Sequence, residues 1–335
     1  MISCATLLIM SILIQQAFVA SQSTTCLQPT SFQVKSLLGT FVAEITGLNL
    51  ETITDKEFEL VEVLLLKHKV LIFRNQSQLS TEGQRSFTQR FGELMVHIES
   101  TAHYPEYKDV NVISNLKNAS GVPVGLYGEH VENFHTDLSW HETPNSVTLL
   151  KSEILPVVGG DTHFVDAVAA YAELPLDVQQ KLDSLQGHFS YLKFRDTVPG
   201  VTAEGYEYMR KGWDHPLITV HPRTGVKSIF ANPGHTASVN GVSKEESDSI
   251  LQLIFDHINQ PQFRYIHKWA EDDALLWDNR AVLHKATSPP NSARKLRRTT
   301  VIDREFGQPF TGPDRIATLC NTEAFVHDTL LQSEL

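Results

Sequence analysis

Short runs of β-type residues, cut apart by Gly and Pro, constrain the fold of this chain more than any other feature. They occupy Val70 to Phe73, Val110 to Ser114, Ser146 to Leu150, Thr162 to Val165, Leu217 to Val220, Ser228 to Ala231, Phe263 to Ile266, Ala274 to Trp277 and Thr299 to Ile302. Helical patterns do not alternate with them regularly, which disfavours a parallel βαβ sheet. Helix signals are confined to a few places. Thr54-Asp55-Lys56-Glu57 is a capping box ahead of apolar positions at Phe58, Val61, Val63, Leu64 and Leu65. A second helix follows Ser80 and stops at Gly92, and others cover Pro175 to Leu185 and Ser243 to Asn259. The pattern predicts a mainly β protein, a sandwich or jelly roll with peripheral helices. No repeat, low-complexity tract or linker breaks residues 30–310, which read as one domain ahead of a tail over 311–335. GxGxxG and P-loop patterns are absent, so a nucleotide-phosphate loop has no support.

Lys and Arg number 28 against 39 Asp and Glu, a net charge of −11, and an acidic surface argues against nucleic acid as a partner. Three cysteines exclude a disulfide-dense scaffold and a Cys-rich zinc module. The first charged side chain is Lys35, and Ala5 to Ile14 is an uncharged, mostly apolar stretch too short to span a bilayer. With small residues at Val19-Ala20-Ser21, residues 1–21 read as a signal peptide, which implies the secretory pathway or the exterior; organelle import is the alternative. Cleavage there removes Cys4 and leaves Cys26 and Cys320 to pair or stay free. Asn75-Gln76-Ser77 and Asn118-Ala119-Ser120 are glycosylation sequons compatible with secretion.

Three segments carry His-x-Asp/Glu: His97-Ile98-Glu99, His130-Val131-Glu132 and His135-Thr136-Asp137. On a strand, residues i and i+2 face the same side, so each can offer an imidazole and a carboxylate to one ion, and at least two of the three are incidental. Two His and one carboxylate leave coordination positions open, as Fe(II) oxygenase chemistry requires. A distant segment, Leu276 to His284, supplies a second histidine and is followed by Arg294-Lys295-Leu296-Arg297-Arg298-Thr299-Thr300. Strand alternation puts Arg294 and Arg298 on one face, pointing inward, and leaves Lys295 and Arg297 solvated. An inward arginine there suits a carboxylate, to which its planar fork donates two parallel hydrogen bonds.

Seven stretches in order resemble the taurine dioxygenase family of Fe(II)/2-oxoglutarate-dependent oxygenases over about residues 31–310. They are FVAEITGLNL (Phe41 to Leu50), VLIFRN (Val70 to Asn75), RFGEL (Arg90 to Leu94), FHTDLSW (Phe134 to Trp140), GGDT (Gly159 to Thr162), WDNRAVLH (Trp277 to His284) and RKLRRTTV (Arg294 to Val301). The resemblance implies a double-stranded β-helix core, an iron site at His135, Asp137 and His284, and 2-oxoglutarate and O₂ as cosubstrates. By the same resemblance Thr162 and Arg294 hold the distal carboxylate of 2-oxoglutarate. Arg298 matches a second arginine that anchors an anionic substrate or reinforces the cosubstrate site, His97 matches a substrate-contacting histidine, and Leu138 and Phe230 fall at pocket-lining positions.

The implied reaction oxidises an unactivated C–H bond of a small anionic, sulfonate or amino-acid-derived substrate, by hydroxylation, desaturation or cyclisation, with release of succinate and CO₂. A silent jelly-roll binding protein, or a zinc or manganese hydrolase on the same ligands, is the alternative, and a homo-oligomer stays open. The segment from Leu192 to Asp214, with Phe194, Tyr206, Tyr208, Met209 and Trp213, matches no family motif and reads as a lid or as a surface loop. Trp140 and Trp277 read as packing residues, and His130, His141 and His163 receive no role.

Overall fold

Thr54 and Glu57 do what their spacing requires. The Thr54 hydroxyl accepts the Glu57 amide and the Glu57 carboxylate accepts the Thr54 amide at 2.9 Å, which starts helix α1 (Asp55–His68). The computed structural model describes residues 31–37, 41–98, 102–126, 133–191, 201–287 and 292–310. The leader over 1–21, Cys4, Cys26, Cys320, His130, Phe194 and the tail over 311–335 lie outside the described residues. After α1 come α2 (Thr81–Gln89), α3 (Ala167–Ala172), α4 (Leu176–Asp183), α5 (Ala203–Lys211) and α6 (Lys244–Ile258). Ser80 and Ser243 cap α2 and α6 with their hydroxyls, as the sequence predicts.

In chain order the strands are β1 (Gln33–Leu37), β2 (Val42–Thr46), β3 (Val70–Phe73), β4 (His103–Tyr104), β5 (Tyr107–Ser114), β6 (Asn145–Ile154), β7 (Thr162–Asp166) and β8 (Gln186–Phe189). They continue as β9 (Trp213–Pro216), β10 (Ile218–Val220), β11 (Lys227–Ile229), β12 (Thr236–Val239), β13 (Arg264–His267), β14 (Ala274–Asp278), β15 (Val282–Ala286) and β16 (Lys295–Ile302). The large sheet has the order β1-β2-β3-β14-β6-β16-β5-β4. It is antiparallel except where α1 crosses over between β2 and β3, which pair in parallel. Facing it is the sheet β13-β7-β15, and the sheet β12-β8-β9 and the hairpin β10-β11 complete a jelly roll. No helix among the described residues is long and apolar enough to cross a membrane.

Period-2 alternation distributes the core. Val70 and Ile72 of β3, Leu275 and Trp277 of β14 and Leu296 of β16 point between the sheets, against Phe164 and Val282. The intervening Leu71, Phe73, Ala274, Leu276 and Val301 face α1 and α2. Each fully buried Leu, Ile or Phe contributes roughly 1.5–3 kcal/mol. Because both faces of the large sheet are covered, β3 and residues 274–277 of β14 are apolar throughout.

This double coverage corrects one sequence expectation. Arg297 is not solvated: it lies on the face of β16 that packs against α2, where it donates to Gln84 Oε1 at 2.7 Å, to the Leu79 carbonyl and to Glu153. Lys295 is half-buried and pairs with Glu153 at 2.8 Å. The alternation itself holds, with Leu296 and Arg298 on the inner face and Thr299 bonded to Thr88 of α2 on the outer.

A buried acid just beyond β16 gives a pH prediction. Asp303 is buried with one oxygen accepting the Glu305 amide and the other, Oδ2, without a hydrogen-bond partner among the described residues. Burial pushes its carboxyl up to about 6 despite nearby Arg280, with Asp278 adding to the rise. A raised carboxyl favours the protonated native state, so its contribution is fully present below about pH 4 and is lost as pH rises through about 6. The loss is on the order of 2–3 kcal/mol at 1.36 kcal/mol per unit. Asp303→Asn is therefore expected to raise stability at pH 7–8 and to flatten the pH dependence between 4 and 7 in denaturant titrations. An unchanged profile would contradict the assignment.

Candidate metal centre

His135 and His284 are cross-strand neighbours. Each donates its backbone N–H to the other's carbonyl at 2.9 Å, a hydrogen-bonded antiparallel pair that sets their side chains on one face. Their ring centroids lie 4.4 Å apart. Asp137 does not reach them by strand alternation, as the sequence reading expects. His135 forms an isolated bridge, and the chain turns at once, with Ser139 N–H bonded to the Thr136 carbonyl at 3.2 Å and Leu138 at φ 53°. The turn swings Asp137 Oδ1 to 3.8 Å from His284 Nε2. One donor atom from each of the three residues falls within 4.8 Å of the others, the one such cluster among the described residues. Gly234 packs against this corner: a Cβ there would meet His135 Cβ at 2.8 Å.

The protonation states suit a cation. His135 Nδ1–H donates to the Asn133 carbonyl at 2.9 Å, which leaves Nε2 as the lone-pair nitrogen. Burial pushes His284 down to about 3, reinforced by His135 and Arg298 against the pull of Asp137, so the imidazole is neutral. Burial alone would raise the Asp137 carboxyl, yet Arg298, His284 and His135, with a hydrogen bond from Thr148, hold it well below the usual carboxylate range. Two imidazoles and one carboxylate form the donor set of a facial Fe(II) site with open positions, so the residues fit the group.

The GGDT and basic segments also meet. Arg294 is buried, its Nε donates to the Gly160 carbonyl at 3.2 Å, and a Cβ on Gly160 (φ +74°) would lie 3.1 Å from Arg294 Cδ. Thr162 opens β7 opposite Ala286 of β15, two residues beyond His284, and its hydroxyl accepts from Trp269 Nε1 at 3.1 Å. Arg298 donates from Nη1 to Asp137 Oδ1 at 2.9 Å and is mostly buried. His97 is buried on the segment that runs alongside the end of β16, where Met95 N–H bonds the Thr300 carbonyl at 2.9 Å. Leu138 and Phe230 join Trp140, Phe189 and Met209 in one buried cluster with Tyr191, Tyr206 and Tyr208 at its edge. The described half of the unmatched insertion, 201–214, is thus helix α5 and strand β9, with Tyr206, Tyr208 and Met209 packed on the proposed pocket residues. Trp213 instead stacks under Lys211.

Sequence reasoning missed Thr148, Asn279, His235 and Trp269. Thr148 donates to Asp137 Oδ2 at 2.7 Å, Asn279 bonds Thr148, and the His235 ring meets the His135 ring edge-on at 5.5 Å. Thr148 lies in a β-type run and carries no motif, so nothing local marks it. Asn279 sits inside the WDNR stretch and was visible only as part of it.

The jelly roll with a His-Asp-His centre, a buried arginine and the GGDT loop beside it defines a metal-dependent oxygenase scaffold. A family model described as taurine catabolism dioxygenase TauD, TfdA family matches residues 33–300, and the chain belongs to that family. It is 31% identical over 274 residues to the alpha-ketoglutarate-dependent 2,4-dichlorophenoxyacetate dioxygenase of Cupriavidus pinatubonensis, covering 78% of this chain and 95% of that protein. Its fold is similar to the crystal structure of a taurine dioxygenase from Burkholderia xenovorans, at 27% identity and TM-score 0.70, covering 86% of this chain and 98% of that one. It is also similar to AAD-2 in complex with Mn(II) and N-oxalylglycine, at 26% identity and TM-score 0.69, covering 84% and 100%. The chain is an alpha-ketoglutarate-dependent dioxygenase.

Proposed function

We propose that His135, Asp137 and His284 hold Fe(II), that Arg294 and Thr162 receive the distal carboxylate of 2-oxoglutarate, and that the enzyme oxidises an unactivated C–H bond of a small anionic substrate. The convergence of three donor atoms within 4.8 Å, at the His135–His284 bridge and the turn that follows His135, carries this reading. Fe(II) bound with 2-oxoglutarate supplies O₂ activation coupled to decarboxylation, with succinate and CO₂ released. The chain supplies position and charge. Arg294, held by Gly160, offers its guanidinium fork to a carboxylate. The Thr162 oxygen already accepts the Trp269 N–H, so its own proton is available to the same anion.

An anionic substrate is favoured by Arg298, a cation at the metal ligand itself, with His97 on the neighbouring segment. Relatives named for a phenoxyacetate and for taurine act on a carboxylate and a sulfonate, which fits that charge. Leu138 and Phe230 supply the apolar wall. Hydroxylation is the default outcome, and desaturation or cyclisation draws on the same site.

Anaerobic Fe(II) plus 2-oxoglutarate is expected to give the visible charge-transfer band of the chelate. Arg294→Ala should weaken 2-oxoglutarate binding about 10-fold or more in a titration of that band, since a charged hydrogen bond is worth roughly 1.5–3 kcal/mol. A folded protein without the band would overturn the reading in favour of a silent binding protein or a hydrolase. A screen of small anions for substrate-stimulated succinate then identifies the substrate class. Residues 1–21 are proposed as a cleaved secretory leader, and the N-terminus of the mature protein tests this.

A further inference from the structure

We propose that Trp277, Asn279 and Thr148 form a one-way hydrogen-bond relay that fixes the Asp137 carboxylate with its Oδ1 toward His284. The direction follows from the donors. The indole N–H of Trp277 can only donate, and it lies 3.0 Å from Asn279 Oδ1. That contact fixes the amide orientation, so Asn279 Nδ2 faces Thr148 Oγ1, to which it donates at 2.8 Å. With its oxygen accepting, the Thr148 hydroxyl spends its one proton on Asp137 Oδ2 at 2.7 Å. The Asp137 backbone N–H points back to Asn279 Oδ1 at 3.4 Å and closes the loop. All four residues are buried, so water does not compete.

The register of two strands builds the relay. Trp277 of β14 lies directly opposite Thr148 of β6, and Asn279 follows where β14 turns. Neither end is adjustable, because β14 and β6 are central strands of the large sheet. Thr148 holds Oδ2 and Arg298 donates to Oδ1 at 2.9 Å, so the carboxylate is fixed with Oδ1 toward His284 Nε2. Thr148, Asn279 and Trp277 are thus positioning residues that act through Asp137. The inference rests on the metal-ligand reading above.

Thr148→Val removes the terminal proton at nearly constant shape, and Mn(II) binding followed by the free-ion EPR signal reads the result without turnover. The expected outcome is a roughly 10–100-fold weaker Mn(II) dissociation constant, the usual effect of losing an outer partner of a metal ligand. Thr148→Ser, which restores the hydroxyl, should return affinity to within about 3-fold of the unmodified protein, a rescue that a packing role for the methyl group would not give. Trp277→Phe tests the far end: its smaller loss should vanish in the Thr148→Val background, because the two act through one path. Unchanged Mn(II) affinity in folded Thr148→Val protein overturns the relay. Failure of the unmodified protein to bind Mn(II) overturns the metal centre instead, so the two failures are distinguishable.

Discussion

Asp137→Ala is expected to abolish 2-oxoglutarate-dependent succinate formation and Mn(II) binding together. Loss of even an outer partner of a metal ligand costs roughly 10–100-fold in affinity or activity, so loss of the ligand itself should exceed about 100-fold. The reason is electrostatic as well as geometric. Asp137 is the sole anion of the cluster, and Arg298 stands 2.9 Å from its Oδ1. Without the carboxylate a cation must enter a site that holds two imidazoles and an arginine, and nothing offsets its charge. Asp137→Asn, which keeps the shape and removes the charge, should lose activity equally. Succinate assays and Mn(II) titration check both, and full succinate production by Asp137→Ala would contradict the ligand assignment.

Arg280→Met should cause a large loss of stability. Asp278 is fully buried, and Arg280 grips it with two bonds of 2.9 Å while His221 donates to the same carboxylate at 2.9 Å. Burial would raise the Asp278 carboxyl, but Arg280 and His221 hold it far below its ordinary range, so it is ionised. Removing the guanidinium leaves a buried anion with only His221 and the backbone N–H of residue 280 against it, at a cost of about 3–5 kcal/mol. A loss of this size lowers the thermal midpoint by at least about 6 °C, at roughly 2 °C per kcal/mol for a large domain. The double change Asp278→Asn with Arg280→Met removes the stranded charge and should recover part of the loss. An unaltered midpoint for Arg280→Met would show that the pair contributes nothing. The pair also anchors the turn between β14 and β15, where Arg280 N–H and Ala281 N–H bond to Asp278, and so supports the strand that carries His284.

The helices were the most legible elements, because their starts are written locally. Thr54, Ser80 and Ser243 each cap the helix that their spacing predicts, since an N-cap needs only one hydroxyl and an amide two or three residues on. Apolar strands such as β3 and β14 were equally plain. β1, β2, β4, β8, β9, β12 and β15 were not among the predicted runs. Each is short, most are interrupted by polar residues or Gly, and they become strands through pairing with partners elsewhere in the chain.

The sequence by itself determined the order of motifs and the inward face of Arg298, because strand alternation is a local property, and the resemblance of those motifs singled out His135, Asp137 and His284. Tertiary structure alone decided how that set is held. Arg297 is buried because α2 covers the outer face of β16, which its own sequence does not announce. Asp137 meets Thr148, Asn279 and Arg298 across 11, 142 and 161 residues of chain. Which oxygen of a carboxylate is occupied depends on the register of strands far apart in sequence, and register is set by the packing of the whole sheet.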